Sequence, residues 1–278
     1  MSTFYTNRVS LVTGGASGIG RALCEELAAR GAHVLAADIN LPGAQAVASS
    51  ITASGGRATA VELDVTRAED VERIVEETWQ AHGQLDFIFN NAGIGVGGEV
   101  RDLTLDQWRK AIDINLWGVI YGTRAAYAAM LRQGSGHIVN IASAAGLIGE
   151  PGLAAYSVTK SGVVALSTAL RAEAEAFGVR VSVVCPGFVD TAIYESAIGV
   201  KIDKEKFVKS LPVRLWPAPD AARAILRGVE RNEAIIVFPF YAQFLWWLSR
   251  LNPALLDGLH RKALSRLRAM RDVNRTAE

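Results

Sequence analysis

The sequence predicts an α/β fold: a doubly wound parallel sheet of the Rossmann type, in a single domain that continues into a C-terminal helical tail. Two observations lead to this prediction. Short apolar runs alternate with segments whose apolar residues recur at helical spacing, and a glycine closes most of the helical segments. Because parallel strands need a crossover connection, usually a helix, this alternation predicts helices on both faces of one sheet.

The alternation begins close to the N-terminus and weakens after Cys185. The strands predicted before that point are Val9–Thr13, His33–Asp38, Ala58–Asp64, Leu85–Asn90, His137–Ser143 and Val179–Cys185. The helices predicted between them are Gly20–Arg30, Pro42–Ser54, Ala68–His82, Leu105–Arg132 and Ala155–Phe177. After a loop with short helices over 187–214, we expect a helix over Pro219–Arg231 and a last strand over Ile235–Phe238. We therefore expect the sheet domain at residues 1–239 and a basic, aromatic-rich helical tail at residues 240–278.

Composition narrows the class of protein. Half of the 278 residues are apolar, which suits a large core, and 29 basic residues nearly balance 28 acidic ones, so no nucleic-acid partner is expected. Two distant cysteines predict no disulfide framework and favour a reducing, cytoplasmic location. Four scattered histidines predict no metal site. The short polar start leaves no room for a signal peptide, and no apolar run is long enough to span a membrane.

A glycine-rich turn joins the first predicted strand to the first predicted helix. Its glycines permit a tight turn and a close approach to a pyrophosphate, to which the helix N-terminus offers unpaired N–H groups. A glycine triplet alone is weak evidence, since an ordinary turn has the same composition, but the position between strand and helix favours a dinucleotide site. The candidate contacts are Gly14, Ser17, Gly18, Ile19 and Gly20.

Asp38 ends the second predicted strand, 18 residues after Gly20. A carboxylate there can reach the adenosine ribose hydroxyls and repels a 2′-phosphate. Ile39 follows it rather than an arginine. The sequence therefore predicts NAD in preference to NADP, although a solvated carboxylate at a strand end is the alternative interpretation.

Several motifs resemble those of the short-chain dehydrogenase/reductase family. Thr13–Gly20 is similar to that family's Thr-Gly-x-x-x-Gly-x-Gly, Asn90–Gly93 to its Asn-Asn-Ala-Gly, and Tyr156–Lys160 to its Tyr-x-x-x-Lys. Ser143 precedes Tyr156 by the 13 residues that the family pattern requires. The motifs occur in order, each on the expected element, over about residues 7–195. The resemblance implies hydride transfer between a nicotinamide cofactor and an alcohol or carbonyl group.

The resemblance also implies the site residues. The catalytic set is Asn115, Ser143, Tyr156 and Lys160. Besides the residues of the glycine turn and Asp38, the cofactor contacts are Asp64, Val65, Asn91, Ala92, Gly93, Tyr156, Lys160, Pro186, Gly187, Val189 and Thr191. Lys160 would also bond the nicotinamide ribose, and Asn115 would complete a proton relay through water.

The chemistry of the catalytic set follows from the residue types. Tyr156 and Lys160 are four residues apart on a predicted helix and share a face. A free tyrosine has a pKa of about 10, and an adjacent ammonium lowers it, so we expect Tyr156 to exchange a proton with the substrate oxygen. Ser143 would hold that oxygen. Each residue also has a structural alternative. Tyr156 and Lys160 could be a surface pair, Ser143 an ordinary hydroxyl at a strand end, and Asn115 a polar residue that distorts the helix and bonds to the backbone. No Gly-x-Ser-x-Gly elbow supports a serine hydrolase.

The substrate is expected to be a lipophilic secondary alcohol or ketone. This expectation depends on apolar residues near the motifs, namely Leu147, Ile148, Leu153, Phe188, Ile193 and Tyr194. There are two alternatives. One is an NADP-preferring carbonyl reductase, and the other is a nucleotide-binding sensor or scaffold without turnover. The complete catalytic set argues against the sensor or scaffold. Family members commonly pair through the helices equivalent to Leu105–Arg132 and Ala155–Phe177, so a homo-oligomer, dimer or tetramer, is expected.

The C-terminal tail departs from the family pattern, in which many members end with a strand and a short glycine-rich closure. Here one apolar helical face is predicted to hold Phe240, Phe244, Trp247, Leu248 and Leu251. Positive charge comes from Arg250, Arg261, Lys262, Arg266, Arg268 and Arg271. Such a segment suits peripheral contact with a membrane through residues 240–271, or a lid over a lipophilic pocket. Packing of the aromatic face on its own domain or on another subunit is the alternative.

Overall fold

A computed structural model describes residues 3–201, 203–211 and 213–271. Residues 1, 2, 202 and 212 of the predicted sheet domain and residues 272–278 of the predicted tail lie outside the described residues. The strands are β1 Val9–Thr13, β2 His33–Asp38, β3 Arg57–Glu62, β4 Phe87–Asn90, β5 Val96–Gly97, β6 Gly136–Ile141, β7 Val179–Pro186, β8 Val189–Asp190, β9 Ile198–Gly199, β10 Trp216–Pro217 and β11 Ile235–Phe238. The α-helices are α1 Gly18–Ala29, α2 Leu41–Ala53, α3 Ala68–His82, α4 Leu105–Ile112, α5 Gly118–Gln133, α6 Ala154–Ala174, α7 Ile193–Ser196, α8 Lys204–Ser210, α9 Ala218–Glu230, α10 Phe240–Leu251 and α11 Asp257–Ala269.

The central sheet confirms the predicted fold class. In the described part of the chain, seven strands form one sheet in the order β3-β2-β1-β4-β6-β7-β11, and every neighbouring pair is parallel. The chain leaves β3 at one edge and returns at β4, on the far side of β1. Since all carboxyl ends lie at one edge, this switch point between β1 and β4 opens a crevice there, where open α/β sheets bind ligands.

Helices cover both faces of the sheet, as the alternation of apolar runs predicts. On one face, α1 and α9 bury Leu23, Leu27 and Ile225 in a core cluster with Phe89 of β4. On the other face, α3, α5 and α6 bury a second cluster that includes Val71, Ala126, Met130 and Leu170. Burial on both faces accounts for the nearly continuous apolar strands.

Local signals set several helix ends. Thr104 caps α4 by accepting a hydrogen bond from the Gln107 N–H (3.3 Å), and the Gln107 side chain accepts one from the Thr104 N–H (2.9 Å). Gly83 ends α3 in a left-handed conformation, with φ of 69°. The first helix starts at Gly18, two residues before the predicted Gly20, because the last residues of the glycine motif already belong to the helix.

Two sequence predictions about regular structure are wrong in detail. The predicted helix Leu105–Arg132 is interrupted by a π-helical segment, Asp113–Trp117, which lies between α4 and α5. The predicted loop over 187–214 contains short strands as well as helices: β9 pairs with β5, and β8 pairs with β10. Each of these strands has only two residues, which is too short for a detectable alternation of apolar and polar residues. The partner of each strand is also distant in sequence.

The tail consists of α10 and α11, joined by a short 3₁₀ turn at Pro253–Leu256. α10 follows β11 directly, and the Gln243 side-chain amide donates to the Val237 carbonyl oxygen (2.6 Å), which fixes its first turn to the sheet edge. No helix in the described residues is long and apolar enough to cross a bilayer. The division into domains at residue 239 stays a prediction.

Candidate active site

A cavity of about 990 Å³ lies at the carboxyl edge of the sheet. The ends of β1, β2, β4, β6 and β7 lead into it, and α10 and α11 close it from the tail side. The cavity thus extends from the glycine turn after β1 to the helices at the C-terminus. Crevices at this edge are where ligands bind in open parallel sheets.

Thr13 joins two of the sequence motifs into one wall of the cavity. Its side-chain oxygen accepts hydrogen bonds from the N–H groups of Asn91 and Ala92, both at 3.0 Å. The Asn91 side-chain amide donates in return to the carbonyl oxygens of Thr13 (2.9 Å) and Gly14 (3.3 Å). The turn after β1 and the loop after β4 are therefore held together across the switch point.

The glycines of the first turn are required by close backbone contacts. Gly14 and Gly18 have φ of +67° and +53°, which L side chains rarely adopt. A Cβ added to Gly20 would lie 2.0 Å from the Gly14 carbonyl oxygen. Ser17 precedes α1 with extended backbone and makes no capping hydrogen bond with its side chain. The N-terminus of α1 is thereby left open to an anion.

Asp38 ends β2 and faces the same cavity. Its Oδ2 accepts a hydrogen bond from the Ala16 N–H (3.0 Å), and its Oδ1 accepts one from the Asn40 N–H (2.9 Å). The carboxylate is therefore oriented by the glycine turn on one side and by the start of α2 on the other. The turn and the carboxylate together fit the pyrophosphate and the adenosine ribose of a nicotinamide dinucleotide.

Almost all the predicted site residues line this one cavity. They are Gly14, Ser17, Gly18, Ile19, Asp38, Asp64, Val65, Asn91, Ala92, Gly93, Ser143, Tyr156, Lys160, Pro186, Gly187, Val189 and Thr191. Gly20 and Asn115 do not line it. Gly20 lies behind the turn, against Gly14. Asn115 is fully buried one layer below, where its side chain bonds the backbone of Ile94.

Tyr156, Ser143 and Lys160 meet at the middle of the cavity. Ser143 follows β6, and its hydroxyl lowers the pKa of the Tyr156 hydroxyl. The buried Lys160 Nζ donates to the Ile141 carbonyl oxygen (2.8 Å) and lies 5.7 Å from the centre of the Tyr156 ring. Helical spacing alone accounts for the Tyr156–Lys160 pair, whereas Ser143 reaches it through the β6–α6 loop.

The direction of the Tyr156 pKa differs from the sequence expectation. Burial raises the pKa of Tyr156 to about 12, and the Ser143 hydroxyl opposes this shift. Burial also lowers the pKa of Lys160 to about 8, so its amine carries less charge at neutral pH than an exposed lysine. The expected lowering of the Tyr156 pKa by an adjacent ammonium is therefore wrong for the protein alone, because Lys160 is not among the groups that shift this pKa and burial is the largest cause.

Sequence reasoning missed several residues of the site. Tyr241 of α10 lines the cavity, and its hydroxyl oxygen accepts a hydrogen bond from the Phe188 N–H (2.7 Å). Glu150, in the loop before α6, also lines it. Neither has a local signal, since one lies in an aromatic-rich helix and the other in a loop. Of the apolar residues predicted near the substrate, Leu147 is absent from the cavity wall because it packs into the core beside Val119.

The helix α11 covers the far end of the cavity. Leu259, Ala263, Leu267 and Met270 line the cavity from this helix. A Cβ added to Gly152 would lie 2.4 Å from Leu267 Cδ2, so the helix rests directly on the β6–α6 loop.

An ion-pair strap holds α11 in place; we use this name for Glu99, Asp102, Lys201, Arg268 and Arg271. Arg268 Nη2 lies 2.8 Å from Glu99 Oε2, and Arg271 bonds both Glu99 (3.2 Å) and Asp102 (2.8 Å). Lys201 Nζ lies 3.0 Å from the same Asp102 oxygen as Arg271. The strap connects the end of the tail to the segment that follows β5.

Comparison with known proteins agrees with this geometry. The family model for the short chain dehydrogenases matches residues 8–198. The chain is 35% identical over 238 residues to a cyclohexanol dehydrogenase of Acinetobacter sp. (strain SE19), a match that covers 85% of this chain and 93% of that protein. It is 35% identical over 233 residues to a 3-oxoacyl-(acyl-carrier-protein) reductase of Synechocystis sp., covering 84% and 92% of the two chains.

Solved structures show a similar fold. A short chain dehydrogenase/reductase from Burkholderia phymatum, solved in complex with NAD, has a TM-score of 0.79 at 24% identity and full coverage of both chains, which shows the shared fold. A levodione reductase has a TM-score of 0.75 at 30% identity over 84% of this chain and 96% of that one. The chain therefore belongs to the short-chain dehydrogenase family, and it is a nicotinamide-dependent oxidoreductase that acts on alcohol or carbonyl groups.

Proposed function

We propose that this enzyme transfers a hydride between NAD(H) and a lipophilic secondary alcohol or ketone, with Tyr156 as the general acid and base. One observation carries the proposal. A single cavity is lined by Tyr156 and Ser143, by a group of apolar side chains, and by Asp38. Phe188, Ile193 and Leu153 belong to that apolar group. A relative named for cyclohexanol, a secondary alcohol, supports the substrate class.

The bound nicotinamide ring supplies the hydride acceptor or donor, and the protein supplies the proton transfer. With a pKa of about 12, Tyr156 is protonated at neutral pH and ready to donate to a carbonyl oxygen as it is reduced. In the oxidative direction, the phenolate of Tyr156 would take the proton of the substrate hydroxyl. The Ser143 hydroxyl favours the ionised phenol and can also hold the substrate oxygen.

The surroundings of Asp38 support NAD over NADP. The carboxylate is held by two backbone N–H groups, so it cannot turn away from a ligand without losing both hydrogen bonds. The next residue, Ile39, is 67% exposed and offers no positive charge to a 2′-phosphate. A ribose with free hydroxyls can donate to the carboxylate, whereas a 2′-phosphate would bring two negative groups together.

Steady-state turnover tests the catalytic proposal. NAD reduction would be followed with a panel of lipophilic secondary alcohols, for wild type and for Tyr156→Phe. We expect the variant to lose a factor of about 10² to 10⁴ in kcat and to keep its affinity for NADH, measured by fluorescence. Tyr127→Phe is the matched control, because Tyr127 lies on α5, packs against the core and does not line the cavity. Unchanged turnover in Tyr156→Phe would contradict the proposal.

The tail supports a second part of the proposal, that the enzyme docks on a membrane surface with anionic lipid. Four side chains of α10 form an exposed face: Phe240 (78% exposed), Phe244 (49%), Trp247 (57%) and Leu251 (61%). The predicted fifth member, Leu248, is instead half-buried. All four side chains are exposed, which supports docking on a partner over packing of this face on its own domain.

Charge favours lipid as the occupant of this face. Residues 240–271 contain six basic side chains and one acidic one, Asp257. Within the described residues, Arg261, Lys262 and Arg266 make no ion pair with any acidic side chain. An exposed aromatic face on one helix, followed by unpaired basic residues on the next helix, suits a segment that lies in the interface of a bilayer. Phe244 also lines the cavity, so the cavity opens beside the same face.

Co-sedimentation with vesicles tests this part. The full chain would be mixed with phosphatidylcholine vesicles, with and without phosphatidylglycerol. We expect binding that depends on the anionic lipid and that is largely lost in Phe244→Glu/Trp247→Glu. Phe177→Glu is the control, because Phe177 is similarly exposed (55%) but lies at the end of α6. Equal binding by both variants would contradict docking, and a change of oligomeric state in the tail variant alone would assign the face to a second copy.

We also propose that two copies pair through α4, α5 and α6. Leu105 of α4, Trp117 of the π-helical segment between α4 and α5, and Val158 of α6 are large exposed apolar side chains. Sedimentation equilibrium of wild type and Val158→Glu tests the pairing. A monomeric wild type would contradict it.

A further inference from the structure

Glu150 is a carboxyl group in the substrate part of the cavity to which the proposed reaction assigns no role. It lies in the β6–α6 loop, seven residues after Ser143 and six before Tyr156. Its backbone N–H donates to Ser157 Oγ (3.3 Å), which ties the loop to the first turn of α6. Glu150 lines the cavity together with Ser143, Tyr156 and Tyr194.

The carboxyl group of Glu150 has no partner in the described residues. No hydrogen bond or ion pair to it occurs among them, and no basic side chain acts on its ionisation. Burial alone shifts its pKa, and the shift is upward. It lines the same cavity as Tyr156, Tyr194 and Tyr241, and its charge raises the pKa of each of these tyrosines.

The tail packs against the loop that carries this carboxyl group. The loop that carries Glu150 continues to Gly152, which contacts Leu267 of α11 so closely that no side chain fits between them. The neighbouring wall is apolar, with Ile148 and Leu153 in the same loop. Glu150 is half-buried at the cavity wall, and a carboxyl group there that has no protein partner is left to water or to a ligand hydroxyl that donates to it.

We propose that Glu150 binds a second hydroxyl group of the substrate, so that the preferred substrates are lipophilic diols or hydroxy-ketones rather than simple alcohols. This inference rests on the proposed function. A second hydroxyl can donate to the carboxyl group while the reacting oxygen lies at Ser143 and Tyr156. A substrate carboxylate or phosphate would place a second negative charge at Glu150, and a hydrocarbon would leave the group unpaired. A site built to bind a hydroxyl discriminates strongly against analogues that lack it.

The test compares kcat/KM for cyclohexanol with kcat/KM for the 1,2-, 1,3- and 1,4-cyclohexanediols. Wild type should prefer at least one diol by about tenfold or more, mainly through a lower KM. Glu150→Leu should lose this preference, and Glu150→Gln, which keeps an acceptor oxygen, should retain part of it. Gly149→Ala is the control in the same loop, since no atom lies within 4 Å of the added Cβ. It should keep the wild-type ratio of diol to cyclohexanol.

Two results would overturn the inference: a wild type that prefers no diol, or a Glu150→Leu variant in which diol and cyclohexanol change by the same factor. A preference for 4-aminocyclohexanol over every diol would overturn the assignment to a hydroxyl. If wild type turns over none of these alcohols, the proposed function fails, but the role of Glu150 can still be tested. Calorimetry then measures the binding of a diol and of cyclohexanol to the NADH-loaded enzyme. Binding of a diol that is tighter than that of cyclohexanol in wild type, but not in Glu150→Leu, supports the role of Glu150. Equal binding refutes it.

Discussion

The side chain of Asn115 makes both hydrogen bonds of a backbone pairing with Ile94. The Ile94 N–H donates to Asn115 Oδ1 (2.8 Å), and Asn115 Nδ2 donates to the Ile94 carbonyl oxygen (2.9 Å). Asn115 lies in the π-helical segment between α4 and α5, where the helix widens. A Cβ added to Gly93 would lie 3.0 Å from Asn115 Oδ1 and 3.5 Å from Lys160 Nζ. Asn115 thus positions the loop after β4 directly beside the lysine.

The first prediction concerns this pairing. Asn115→Leu should lower the free energy of unfolding by about 2–4 kcal/mol, because it leaves the N–H and carbonyl groups of Ile94 without partners. Asn115→Asp keeps only the acceptor and should fall between this variant and wild type. Urea unfolding measures the change. Asn40→Ala, which removes an exposed cap from α2, should cost only about 1 kcal/mol. A loss at Asn115 no larger than that at Asn40 would contradict the assigned role.

The second prediction concerns cofactor choice. Asp38→Asn removes the negative charge but keeps one acceptor oxygen, so binding of NADH should weaken and binding of NADPH should improve. The ratio of the two dissociation constants should change by about tenfold or more, since hydrogen bonds to a carboxylate contribute about 1.5–3 kcal/mol. Fluorescence titration measures both constants. Glu62→Gln, at the end of the neighbouring strand and outside the cavity, is the control. A ratio that is the same in Asp38→Asn and wild type would argue against NAD selection by Asp38.

The third prediction concerns the glycine turn. Gly20→Ala should abolish tight cofactor binding and destabilise the fold by roughly 3 kcal/mol or more, because its Cβ would lie 2.0 Å from a backbone oxygen that cannot move alone. Gly258→Ala is the matched control in α11, with no atom within 4 Å of the added Cβ. It should be neutral or stabilise by up to about 1 kcal/mol. Retained NADH binding in Gly20→Ala would show that the turn is not needed in this form.

The fourth prediction concerns the ion-pair strap and pH. The hydrogen bond from Arg268 is the main cause that lowers the pKa of Glu99 to about 2. A depressed carboxyl pKa stabilises the folded state fully above the unfolded value of about 4.5 and loses this contribution as the pH falls toward 2. The difference in stability between wild type and Glu99→Gln should therefore be constant near neutrality and shrink below about pH 4.5.

Urea unfolding from pH 7 to pH 3 measures this difference at each pH. Glu72→Gln, at an exposed position of α3 with no ion pair among the described residues, should show no such trend. The same strap should weaken with added salt, because ions screen its exposed arginines. A stability difference at Glu99 that does not vary with pH would show that the charge of Glu99 does not contribute to folding through a lowered pKa.

Much of the fold and half of the catalytic set could be predicted because their causes are local. Strand and helix periodicity indicated β1, β2 and α3 to the residue, and four-residue spacing placed Tyr156 and Lys160 on one helical face. The π-helical widening at Asn115 could not be predicted, since it depends on a hydrogen-bonding partner 21 residues away. The same reason applies to the strands β5 and β9, which exist only as a pair.

By itself, the sequence determined the parallel sheet, its glycine turn and the residue types that transfer a proton, because periodicity, backbone freedom and side-chain chemistry act within a few residues. Only the tertiary structure decided the environment of those residues. Burial reverses the expected direction of the Tyr156 pKa, α10 brings Tyr241 into the cavity, and the Glu150 carboxyl group lines the cavity without a partner in the described residues. These properties depend on the surfaces that the folded chain brings together, and no local pattern records which distant segment will exclude water from a given group.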